Sequence, residues 1–470
     1  MKRKLFNKIS ILSALSIMLL AGCGSDNGDK IKLEIGFWPE KTEERDLAMY
    51  NKWKADFEKD YPQYEIVGKP YKYNTETIGQ MYLTNELPAV FQTWFTEPHK
   101  LAEKKYIRSI DSQVKSLGWD AMMNEGMKDI LTYEDKIYGI PRDGYGLGLL
   151  INMKTLGDNG LLPEKEDGSY SLYYEDGTPA YPTTFEQIYE YSMTISELDE
   201  TKGILICSAN KNGGWQFSNM AWNYGATLQT VDKDGKIKSN LNCDEAVEAL
   251  SWIQKMKQDN LLLNSTSVTY DQWYNSIESK VAMAIVGSDV LHLAAVNAQV
   301  DMDDLAFVPM PTGDGEHHYS LYGGTPFVFS NKASDEEVDG ILKFFEYIGR
   351  SPKISDISKA AMESGNKTAE QKGQPILPTI KPWTNKEYVE YAEELEKQYV
   401  TVNMENYGEF YENIEANKHT EVKYAAQEMY EYLDSAIQNV LDKPDTSNPR
   451  ALLTTANSNM QNFLDKNYNK

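Results

Sequence analysis

An α/β fold in two or three domains is the class this sequence predicts, and two observations carry it. Short apolar runs of strand character, "IKLEIGF", "YEIVGK" and "AVFQTW", are each separated by a helical pattern, which argues for a mainly parallel sheet covered by helices. The chain has 470 residues, more than one hydrophobic core usually serves.

The elements follow in order. Ile31, Leu33, Ile35 and Phe37 alternate on one face of a half-buried strand; Leu47, Tyr50, Trp53 and Phe57 then recur at helical spacing until Pro62. Thr96-Glu97-Pro98 starts a helix towards Tyr106, since proline is tolerated in a first turn. Ligands of such sheets sit beyond the strand carboxyl ends, which singles out the loops "WPEK" and "FTEP". Residues 157–181, rich in Gly, Pro, Asp and Tyr, read as a hairpin excursion, and Thr183-Thr184-Phe185-Glu186 as a capping box for a helix to about Leu198. "TVDKDGKIKSN" is a hairpin centred on Asp234-Gly235; its acidic pair does not match a calcium loop, where the glycine and the last glutamate would stand elsewhere. Asp244 caps a helix carrying Val247, Leu250, Ile253 and Met256. "KVAMAIVGSDV", "LAFVPMP" and "SLYGGTPFVFS" are further strands, Ser334 to Glu337 box the next helix, and the chain after Ile348 is mostly helical.

Composition excludes several classes. With 71 acidic against 47 basic residues the net charge is −24, so nucleic acid is not a partner. Cys207 and Cys243 make no disulfide framework and read as free thiols. The histidines in "DGEHHYS" lack metal-ligand spacing, "GYGLG" lacks dinucleotide-loop spacing, and there is no nucleophile elbow, zinc-protease motif or P-loop. No metal and no cofactor are expected.

The first residues read as an address. Lys2, Arg3, Lys4 and Lys8 precede an apolar run from Ile9 to Leu20, too short for a membrane span, and Leu20-Ala21-Gly22-Cys23 resembles the lipobox of bacterial lipoproteins. The resemblance implies that 1–22 are a signal peptide, that Cys23 is the lipidated residue and that 23–30 are a tether holding the protein on the outer face of the cell membrane. Two acyl chains anchor durably where one does not.

Four stretches, "YGIPRDGYGLGLLINMKTL", "PTTFEQIYEY", "ESKVAMAIVGSDV" and "LAFVPMPTGDG…YGGTPFVFSNKAS…KFFEYI", together resemble the bacterial extracellular solute-binding proteins of family 1, the carbohydrate-binding lipoproteins of ABC importers. The resemblance covers nearly the whole chain after the signal. It implies the two-lobed periplasmic-binding-protein-like fold with three crossings, near 143–146, 307–309 and 349–356. Residues 31–144 plus 309–350 would form the first lobe and 147–306 plus 355–470 the second. It further implies a monomeric, non-enzymatic protein that captures an oligosaccharide by hinge closure and passes it to the ABC permease.

The same resemblance places Trp38 and Glu40 in the first cleft loop, Trp94 and Glu97 in the second, Asp143 and Tyr145 at a crossing, and Trp215, Trp222 and Tyr224 against the sugar. Asp289 stands where relatives often place an aromatic, and Tyr322 and Trp383 complete the set from loop context. A sugar ring offers a C–H face to aromatic surfaces and hydroxyls to carboxylates, which is why these residue types are expected. Two other readings remain open to the sequence: an anchored glycoside hydrolase, whose two carboxyls would flank a scissile bond, and an importer protein for peptides or another polar metabolite.

Overall fold

The computed structural model describes residues 30–198 and 200–469, so the signal, Cys23 and most of the tether lie outside the described residues. Two sheets organise the chain. The first runs in the order Tyr64–Gly68, Ile31–Ile35, Val90–Gln92, Phe327–Phe329 and Gly139–Ile140, the first three strands parallel and the last two antiparallel. Its core joins Leu33, Ile35 and Val90 to Phe57 of the helix Glu44–Asp60 and to Ile341 and Phe345 of the helix Asp335–Tyr347.

The second sheet has six strands built around Gly144–Asn152, which pairs with Val281–Gly287, Leu305–Val308 and Ser320–Gly324; Lys202–Leu205 and Lys418–Thr420 lie at its edges. Both faces are covered, so alternate residues of one strand enter different cores: Leu147, Leu149 and Ile151 point one way, Leu150 the other. A continuous apolar run is the consequence.

Helix starts follow local chemistry, with corrections. Ser334 and Glu337 form the expected reciprocal box. The earlier box is made by Thr184 and Gln187 rather than Thr183 and Glu186, because the helix begins at Phe185. Asp244 lies inside the first turn, with Cys243 at the cap position. Cys207 and Cys243 are free thiols.

The crossings depart from the expected division. The chain passes from the first sheet to the second through 141–143, returns through 325–326, and crosses finally through 400–403. The strand Leu305–Val308 pairs along Gly144–Asn152 and Ser320–Gly324 pairs with the same strand, so the chain stays in the second lobe well past 309. The helices Asp356–Gln371 and Lys386–Tyr399 place Met362, Tyr388 and Ala392 against the first core, so 356–399 belongs there and not to the second lobe. Amphipathic helices of this kind say which face is buried but not against which sheet.

Candidate functional site

The cleft wall of the second lobe is aromatic. Tyr145 opens the strand Gly144–Asn152 and lies against Gly323, where a Cβ atom would come within 2.7 Å of its ring. Trp215 meets Tyr145 edge-on at 6.3 Å between ring centres and Tyr270 at 5.0 Å and 86°. The Tyr270 hydroxyl accepts a hydrogen bond from the Gly287 amide at 2.7 Å. Trp215 sits in the first turn of the helix Asn212–Trp222, which Asp434 holds by accepting from the Lys211 and Gly214 amides at 2.6 and 2.8 Å. These three rings form one half-exposed surface.

Carboxylates stand around it. Asp289 follows the strand Val281–Gly287 and opens into the cleft, while Glu421, just beyond Lys418–Thr420, accepts from the Tyr430 hydroxyl at 2.6 Å. Arg142 and Asp143 pair at 2.5 Å on the crossing.

The first lobe contributes the loop after Val90–Gln92. Trp94 is 44% exposed and stands edge-on to Tyr73 at 5.3 Å, and the Tyr73 hydroxyl donates to buried Glu97 at 2.5 Å. Two contacts join the lobes at this rim: Lys100 with Glu428 at 3.1 Å, and the Gln427 amide donating to the Thr96 hydroxyl at 3.1 Å.

Desolvation pushes the Asp289 carboxyl up to about 7, assisted by neighbouring Asp143, and pushes Glu421 up to about 7, assisted by Glu97. Glu97 is also raised by burial, with Lys100 opposing. An unfolded chain ionises such groups near 4, so between about pH 4 and 7 the folded state holds more protons and stability falls as pH rises, levelling above 7. Glu421→Gln should therefore leave stability unchanged at pH 4 and raise it at pH 8, read by urea titration; equal effects at both pH values would contradict the assignment.

Of the expected site residues, Asp143, Tyr145, Trp215 and Asp289 come together, while Trp94 and Glu97 stand on the loop of the first lobe beside Tyr73. Three others are core, and Tyr224 is partly buried against it. Trp222, 2% exposed, stacks on His419 at 4.0 Å, and Tyr224 stacks on Phe185 at 5.2 Å. Tyr322 is wholly buried in the second lobe, and Trp383, 1% exposed, meets Trp119 edge-on at 5.8 Å in the first. Trp222, Tyr322 and Trp383 are enclosed by protein, which leaves them no face for a ligand.

Trp38 and Glu40 line a different hollow of about 610 Å³, between the loop after Ile31–Ile35 and the helices of 356–399. Trp38 packs on Tyr50 at 5.2 Å and Glu40 pairs with Lys72 at 3.1 Å. Glu396 there pairs with Lys381 at 3.0 Å. That hollow is lined by the first lobe and the segment running up to Val400, and Glu40 and Glu396 in it are already paired.

The sequence reading missed Tyr73, Arg142, Tyr270 and Glu421. Arg142 was legible beside Asp143; Glu421 reaches the cleft only through the pairing of Ser320 with Lys418, which no local pattern announces.

Comparison with known proteins agrees with this fold. A family model described as bacterial extracellular solute-binding protein matches residues 52–364. No curated protein matches in sequence. Among solved structures, a solute-binding protein of an ABC transporter from Thermotoga lettingae bound with α-D-tagatose superposes with a TM-score of 0.66 at 17% identity, over 93% of this chain and 100% of that one. The cyclic α-maltosyl-1,6-maltose binding protein of Arthrobacter globiformis gives 0.67 at 14% identity, over 93% and 100%. UgpB from Mycobacterium tuberculosis, in complex with glycerophosphocholine, gives 0.65 at 13% identity, over 93% and 99%. Two α/β lobes, a cleft at their crossings and a family match over most of the chain have one meaning: the protein belongs to the bacterial extracellular solute-binding proteins.

Proposed function

We propose that this protein captures a sugar, an oligosaccharide, in the cleft between its lobes and delivers it to the permease of an ABC importer, without catalysis. The observation that carries the reading is the surface of Tyr145, Trp215 and Tyr270 with carboxylates at its edge. Aromatic faces cover the C–H face of a sugar ring and carboxylates accept from its hydroxyls. Solved structures of the same fold support it, one bound with α-D-tagatose and one a cyclic α-maltosyl-1,6-maltose binding protein. In this reading Cys23 carries the lipid, the protein works as a monomer on the outer face of the membrane, and closure is drawn by the ligand's higher affinity for the closed form.

A thermal-shift screen over a glycan library tests it, since a ligand at 100 times its dissociation constant adds about 2.7 kcal/mol to the folded state. A shift with an oligosaccharide, and no new reducing ends on incubation, is expected. A shift with peptides alone would overturn the sugar assignment.

The rim contacts should favour the closed form. Exposed or half-exposed ion pairs are worth roughly 0.2 to 1 kcal/mol, so Lys100→Ala should weaken sugar binding only a few-fold while speeding release, by stopped-flow measurement. An unchanged release rate would show that Lys100 and Glu428 do not hold the closed state.

A further inference from the structure

The charged groups of the cleft fall into two sets. Most are matched: Asp143 by Arg142 at 2.5 Å, Glu428 by Lys100 at 3.1 Å, and Glu97 by Lys100 at 3.9 Å. Asp289 and Glu421 are not; among the described residues neither has a lysine, arginine or histidine nitrogen within 4.0 Å. Tyr430 gives Glu421 a hydroxyl, which is a donor but not a counter-charge.

Gly287 shows how closely one of the unmatched groups, Asp289, converges with the rings. A Cβ atom placed on it would lie 2.6 Å from the Asp289 carboxylate, 3.4 Å from the Tyr145 ring and 3.4 Å from the Tyr270 hydroxyl. One small space is therefore bordered by an anion, an aromatic edge and a polar oxygen. Trp215 closes the same group from the other side, touching both tyrosine rings.

On the reading of the cleft as a sugar site, we infer that the captured sugar carries a positively charged amine, seated among Asp289, Glu421 and the rings of Tyr145, Trp215 and Tyr270. A neutral hydroxyl can donate to these carboxylates but brings no counter-charge, so their ionised forms stay costly once closure removes water, whereas a cation favours them. An ammonium supplies the missing charge and three donors together, and the faces of tryptophan and tyrosine attract cations. The net charge of the chain, −24, draws such a ligand in from bulk solution and disfavours an anionic one.

Glucosamine oligomers of two to four residues and their N-acetylated twins form a matched pair, differing in charge on one scaffold; maltooligosaccharides serve as a neutral reference. Calorimetric titration at pH 7 should show the amine form binding at least about tenfold tighter than its twin, with the gap narrowing as salt is raised from 20 to 300 mM, roughly as screening of a partly exposed pair requires. Asp289→Asn should remove most of that preference and Glu421→Gln the rest, both variants remaining folded and Glu421→Gln melting no earlier than the wild type at pH 7. If the twin or the maltooligosaccharides bind as well or better, or if Asp289→Asn and Glu421→Gln keep the preference, the amine inference is overturned and sugar capture stands. If no sugar binds in any form, the sugar reading itself fails and takes this inference with it.

Discussion

Trp215→Ala is expected to weaken sugar binding about 100-fold, the loss that truncating a central aromatic anchor brings when it is worth roughly 2 to 3 kcal/mol. The ring is half-exposed and touches Tyr145 and Tyr270 at its edges, so it contributes surface to the cleft more than packing to the core. The helix that carries it is held by Asp434 and by Gly214, which lies directly on the Tyr430 backbone, neither of which depends on the indole. Stability should change little. Titration calorimetry beside a urea melt separates the two quantities, and an intact affinity would remove Trp215 from the site.

Trp383→Ala should do the reverse. This indole is 1% exposed among Trp119, Met123 and the first core, and its backbone bridges to Met123. Truncating a buried tryptophan to alanine leaves a cavity that costs about 3 to 5 kcal/mol. The folded fraction should bind sugar as the wild type does. A loss of affinity with unchanged stability would return Trp383 to the cleft and contradict its place in the core.

The contrast between these residues explains what the sequence could and could not tell. Strands such as Ile31–Ile35 and Val281–Gly287 are legible because side-chain alternation or a continuous apolar run reports burial directly. The Ser334–Glu337 box is legible because its chemistry is local. Lobe membership is not: the helix Lys386–Tyr399 has an apolar stripe, but only the folded chain shows that Tyr388 and Ala392 meet the first core. Nor does residue type separate an anchor from a core ring. Trp215 and Trp222 lie two turns apart on one helix and so on nearly the same face, yet about 10 Å of rise carries the first into the cleft and leaves the second stacked on His419. Glu421 needed a strand pairing across a long stretch of sequence.

Everything depends on the ligand touching both lobes where they cross. Hydrogen exchange with and without a bound oligosaccharide tests that most directly. Protection is predicted in 94–97 of the first lobe together with 143–146, 213–216 and 287–290 of the second, the segments that carry Trp94, Tyr145, Trp215 and Asp289. Protection confined to 37–40 and 361–366, beside the hollow of the first lobe, would contradict it.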